Sequence, residues 1–241
     1  MLNESLNYLR TSDDWVTTVV IGTVLGLLSV FVVPTILVLG YTMRVVRRTM
    51  QGDEEPPVFD EWGEMLVDGL KAFVVAFVYG FVPGVVALTF GVFGFLGVVG
   101  GAGSDSGGLA ALGGVTLVLG LLIALVLGLL AAYVVPAALA NYAERGRIGA
   151  GFDVGTLRPV LTSGKYATAW LTAFAVLLGA GIVAGVVGAI PLLGVLVGPI
   201  AGAALGFYGS VAAYYIIGRT WGELHEVEVR EGEPTGEGAA V

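Results

Sequence analysis

Arg44, Arg47 and Arg48, in the stretch MRVVRR, stand at i, i+3 and i+4 just after a long apolar run. That spacing gathers three guanidiniums on one face of a helix. Guanidinium forks suit phosphate oxygens, so the cluster fits contact with anionic lipid headgroups or with a partner. The simpler reading, and the preferred one for this cluster, is plain anchoring of a membrane helix by basic residues. Arg145 and Arg147 follow a second apolar run in the same way, and Trp62 supplies an aromatic ring suited to the interface. Catalytic chemistry is harder to place. The apolar runs hold no His, Cys, Asp, Glu, Lys or Arg, so they offer no activated nucleophile, acid–base pair or metal cluster. His225 stands alone in a charged tail, and Gly100-Gly101-Ala102-Gly103 lacks the lysine of a phosphate loop. Neither a catalytic residue, a cofactor nor a metal is expected, and the chain reads as non-enzymatic.

The elements that carry these residues follow from where charge is missing. No ionisable Asp, Glu, Lys or Arg occurs in 15–43, 72–104, 106–143 or 166–218. Across all 241 residues, 56% are hydrophobic and only 12% charged, with a mean hydropathy of +0.92. About 20 apolar residues in a helix cross a bilayer core of roughly 30 Å. Each run is long enough, and the last can cross twice by turning at Ile190-Pro191-Leu192-Leu193-Gly194. The expected fold is all-α, a polytopic transmembrane helix bundle of about five spans. These are Trp15–Tyr41, Ala72–Val99, Gly113–Tyr133, Tyr166–Ala189 and Leu193–Ile217. Pro34 is expected to kink the first, whose ends carry Trp15 and Tyr41 at the two interfaces. Between spans lie two elbows with amphipathic segments. In the first, a linker over 51–57 leads into a surface helix from Phe59 to Lys71, capped by Asp60, with Gly69 at the bend into the next span. Phe59, Trp62, Leu66 and Leu70 share its apolar face, and Glu61, Glu64, Asp68 and Lys71 its polar one.

The elbows repeat. Val-Val-Pro, then Tyr41 or Tyr142, then Arg44 or Arg145, lead on to Phe59-Asp60 or Phe152-Asp153 and to Lys71 or Lys165. Two repeat units, about 15–99 and 113–189, precede a final span at 193–217, so the transmembrane domain covers 1–218 and an acidic cytoplasmic tail 219–241. Two spans per unit keep successive units in one orientation, a parallel repeat. Ten of the eleven Lys and Arg fall in 44–71, 144–165 and 219–241. Those segments are therefore expected in the cytoplasm and the N-terminus outside, in a multi-pass protein of the cell membrane. Gly194, Gly198, Gly202 and Gly206 recur every four residues and are read as a helix-packing stripe that puts the last span at the bundle centre. The first residues carry Glu4, Asp13 and Asp14 against Arg10 and read as an uncleaved polar head. Asn3-Glu4-Ser5 matches a glycosylation sequon, a pattern that arises often by chance. The tail from Gly232 is expected to be disordered. A net charge of −8 argues against nucleic acid, and the absence of cysteine excludes disulfides.

The chain resembles an uncharacterised, mainly haloarchaeal family of multi-span membrane proteins, domain of unknown function 4013. The likeness rests on Gly40-Tyr41, the arginines of MRVVRR, Gly52-Asp53, Pro57, Phe59-Asp60, Trp62-Gly63, Asp68-Gly69 and GRTWGE at 218–223. It implies an archaeal, halophilic source, in keeping with acidic loops, and brings no activity or site residues with it. The expected role is a membrane component whose cytoplasmic elbows contact lipid or a protein partner. The alternative is a permease or channel for a small uncharged solute. Oligomeric state stays open.

Overall fold

A computed structural model describes residues 2–104 and 106–232, and every regular element among them is helical. Asp105 and the tail beyond 232, with its expected disorder, lie outside the described residues. The helices are α1 (Leu2–Asn7), α2 (Trp15–Leu27), α3 (Val32–Met50), α4 (Trp62–Gly103), α5 (Gly107–Arg145), α6 (Val154–Thr162), α7 (Gly164–Gly188) and α8 (Leu193–Gly232). Four of them, α4, α5, α7 and α8, are long and apolar enough to cross a membrane.

The chain divides into two compact units, Val74–Pro136 and the remainder. Val74–Pro136 is a helical hairpin made of α4 from Val74 onward and α5 up to Pro136. Its helices meet at small residues: a Cβ on Gly97 would stand 2.8 Å from Cα of Gly113, and one on Gly94 2.6 Å from Cγ of Leu117. Most other side chains here, such as Phe93, Leu112 and Leu121, are apolar and exposed. That suits a solvent of lipid tails, where close backbone contact does the work that hydrophobic burial does in water.

The second unit is built around α8, which packs against α1, α2, α3 and α7. Within this unit α8 is the helix that the others share. α7 and α8 form an antiparallel pair closed by the turn at 189–192, where Gly194 lies against the carbonyl of Gly188.

The first apolar run departs from expectation. In place of one kinked span from Trp15 to Tyr41 there are two helices, broken at Leu28–Phe31. Pro34 falls in the first turn of α3, where its missing N–H costs nothing, so it starts a helix and kinks none. α2 has 13 residues, about 20 Å at 1.5 Å per residue. The helix expected to lie on the surface over 59–71 is also different. α4 begins at Trp62 and runs unbroken through Ala72, with no bend at Gly69. Gly69 is small for another reason: a Cβ there would strike the carbonyl of Ile36, and one on Gly40 the carbonyl of Met65. The two glycines let α3 and α4 cross with backbones in contact. Asp60 stands two residues ahead of the start of α4, and its carboxylate pairs with Arg44.

Candidate functional site at the elbows

Both elbows start with the same helix stop. α3 ends at Met50, and Gly52 at φ +87° lets Asp53 N–H reach Arg48 O at 3.0 Å. α5 ends at Arg145, and Gly146 at φ +69° donates to Tyr142 O at 2.8 Å. A left-handed residue after the last turn satisfies carbonyls that the helix leaves orphaned, and glycine adopts it without strain.

Past that stop each elbow folds back on its helix. In the first, the fully buried Tyr41 donates its hydroxyl to Pro57 O at 2.9 Å and stacks on Phe59 at 4.3 Å. Arg44 pairs with Asp60 and, at 3.2 Å, with Glu61. Arg48 reaches Glu55 O at 3.4 Å. In the second, Arg145 pairs with Asp153 at 2.9 Å and bonds Thr156 Oγ1 at 2.8 Å. Asp153 also caps α6 by accepting from the N–H groups of Gly155 and Thr156. The repeated Tyr–Arg–Phe–Asp pattern thus makes the same Arg-to-Asp clasp twice. Asp153 is held below the usual carboxylate range chiefly by the Thr156 hydroxyl and N–H; burial opposes them, and Arg145 and the Gly155 N–H add smaller contributions.

Arg47 joins the two elbows. Its guanidinium pairs with Asp68, and its Nε–H donates to Ala143 O at 3.1 Å. The buried Tyr142 donates to Asp68 Oδ1 at 3.2 Å. Burial works against the charge on Asp68, but the Arg47 hydrogen bond and charge, with Tyr142, outweigh it and keep its carboxyl low.

Beside this junction opens a polar cleft of about 520 Å³, lined by Arg47, Glu144, Arg145, Trp221 and His225 among others. Trp221, buried, donates Nε1–H to Glu144 at 2.9 Å. The His225 ring lies tilted against Trp221, centroids 4.5 Å apart, with Nε2 4.0 Å from the same carboxylate. Gly218 and Gly222 bring α8 onto Thr49 and Met50 of α3, and Lys165 pairs with Glu223 at 2.7 Å. The cleft offers one acid, one imidazole and guanidiniums already matched to carboxylates. That arrangement holds helix ends together. No group of three or more metal-ligating side chains is found among the described residues.

Three of the arginines singled out from the sequence, Arg44, Arg47 and Arg145, therefore face carboxylates of this same chain, and Arg48 turns toward a backbone carbonyl. Arg147 and Trp62 are exposed, as is Arg158, which the sequence did not single out. Glu144, Asp68 and Trp221 were also missed as site residues. Asp68 and Trp221 sat within the family-like motifs, but nothing local marked Glu144. The glycine stripe divides. Gly194 and Gly198 pack on Gly188, whereas a Cβ at Gly202 or Gly206 would meet open space. Those two line a second cavity of about 410 Å³ between α2, α3 and α8, together with the hydroxyls of Ser29, Thr35, Thr42, Ser210 and Tyr214.

A family model described as "Protein of unknown function (DUF4013)" matches residues 23–193. No curated protein and no solved structure matches the chain.

Proposed function

This chain belongs to the DUF4013 family, and from that premise we propose that it is a non-enzymatic integral component of the cell membrane. Its elbows face the cytoplasm, close on themselves through arginine–carboxylate clasps, and touch anionic headgroups with what remains exposed. The observation that carries this is the division of labour among the arginines. Arg44, Arg47 and Arg145 have their charge met within the chain, while Arg147 and Arg158 are exposed and pair with no carboxylate among the described residues. Headgroup contact accordingly passes from the MRVVRR cluster to Arg147 and Arg158, with Trp62 anchoring the interface. The twin clasps support an internal parallel repeat, and the basic elbows with the C-terminal end of α8 support the cytoplasmic side. The acidic surface suits a salt-rich interior of halophilic, archaeal type.

The test is retention of anionic against neutral lipid on purified protein in nanodiscs. Arg147→Ala with Arg158→Ala should lower anionic-lipid retention severalfold and leave the fold intact. Arg44→Ala should lower stability and leave lipid preference alone. The opposite pattern would sink the proposal.

The mainly apolar cavity between α2, α3 and α8, with a few hydroxyls at its wall, favours one second reading, a permease for a small uncharged solute. Proteoliposome uptake of small polyols, blocked by Gly206→Leu, tests it. Uptake no faster than through protein-free vesicles removes it.

A further inference from the structure

We infer that α2 and α3 form a re-entrant hairpin that enters and leaves the bilayer on the elbow side, so that only four helices cross and the N-terminal residues lie with the elbows. This rests on the membrane reading above and replaces the expectation of five spans with the N-terminus outside.

Three observations carry it. First, the start of α2 and the end of α3 are at one end of the unit. Tyr8 donates to Glu55 O at 3.2 Å, Thr11 Oγ1 to Glu54 O at 2.9 Å, and the Tyr8 ring meets Tyr215 near the elbow end of α8 at 4.7 Å. The two aromatic markers expected at opposite interfaces share an end as well, with Trp15 under Arg10 and Tyr41 tied to Pro57. Second, the hairpin is too short to cross. α2 supplies about 20 Å against a hydrocarbon layer of roughly 30 Å. A Cβ on Gly26, near its tip, would stand 3.2 Å from Ala203. α8 continues beyond that level back to Leu193, about another 15 Å at 1.5 Å per residue.

Third, the tip is built for hydrocarbon. Backbone that leaves a helix inside lipid must find its own partners. Leu28 N–H donates to Val24 O at 3.0 Å, Ser29 N–H to Gly26 O at 3.2 Å, and Phe31 N–H to Leu28 O at 2.9 Å. Thr35 Oγ1 caps the turn by donating to Ser29 O at 3.1 Å. What the tip presents outward is apolar: Val30 is 89% exposed and Phe31 64%, followed by Val32 and Val33. The partner of this surface is the acyl interior of the membrane. Four crossings also return each long hairpin, α4–α5 and α7–α8, to the elbow end where it began.

The chain has no cysteine, so single-cysteine variants of the full-length protein report position without background. Asn3→Cys, Gln51→Cys, Leu192→Cys and Val30→Cys are treated with a membrane-impermeant maleimide on sealed vesicles of each orientation. Asn3→Cys and Gln51→Cys should react from one side, Leu192→Cys from the other, and Val30→Cys from neither. A nitroxide at Val30 should report the depth of the hydrocarbon. Labelling of Asn3→Cys from the same side as Leu192→Cys, or of Val30→Cys from that side, overturns the inference. Recovery of the wild-type chain without detergent in a soluble fraction would instead overturn the membrane reading beneath it.

Discussion

Removing the Arg47–Asp68 pair should unlock the two elbows from each other. The side chains are 30% and 19% exposed, between the surface and the core. Breaking a fully buried pair costs about 3–5 kcal/mol, and an exposed pair contributes roughly 0.2–1 kcal/mol. Asp68→Ala strips Arg47 of its carboxylate and Tyr142 of one acceptor, though Tyr142 keeps Asp68 O at 3.3 Å. A loss of about 2 kcal/mol follows. Arg47→Ala also forfeits the bond to Ala143 O, which no other side chain replaces. Much of each single loss comes from this one contact. The double variant should therefore be less damaged than the sum of the singles, with a coupling of about 1–1.5 kcal/mol, near tenfold in the unfolding constant. Reversible unfolding in mixed detergent micelles reads all four corners of the cycle. Arg147→Ala, at an exposed position, should stay within about 0.5 kcal/mol of wild type. A coupling within about 0.3 kcal/mol of zero would refute the view that this pair ties the elbows.

The same pair predicts a pH dependence. Because the folded Asp68 carboxyl titrates below its ordinary 3.8, its stabilisation is complete above that value and is lost as pH falls through the lower folded one. Melting curves should show this contribution unchanged from pH 7 to 5 and failing only in stronger acid, with Asp68→Asn lacking the acid-linked loss. Gly40→Ala and Gly69→Ala push a methyl into backbone and should cost about 1–3 kcal/mol each in the same unfolding assay. Gly202→Ala and Gly206→Ala, which face open space, should be nearly neutral. Gly52→Ala and Gly146→Ala force alanine into a left-handed conformation and should each cost about 1–2 kcal/mol.

Much of the molecule was legible in the chain. Three of the four charge-free runs, 72–104, 106–143 and 166–218, fall almost wholly in the helices long and apolar enough to cross a membrane, and the absence of ionisable groups within them denies the usual acids, bases and ligands a place there. The Tyr–Arg–Phe–Asp recurrence pointed to two similar elbows, but it led to Arg44 and Arg145 being read as contacts to lipid or a partner and not as the mates of Asp60 and Asp153. The arginines were harder. Asp60 and Asp68 lie 16 and 21 residues away from the guanidiniums they meet, and no local spacing says that a linker will fold back to deliver them. Spacing alone made four glycines equivalent, yet Gly194 and Gly198 meet the neighbouring α7 and Gly202 and Gly206 a cavity.

What the sequence determined by itself was which stretches are long and apolar enough to enter lipid, because that capacity depends on composition and length. What only the tertiary structure decided was that the first apolar run breaks into two helices at Leu28–Phe31. Hydropathy is blind to direction, and 15–41 reads the same whether it crosses or turns back. The turn depends on partners for the backbone freed at Leu28–Phe31, and those appear only when Thr35 and the preceding helical turn come round to meet it.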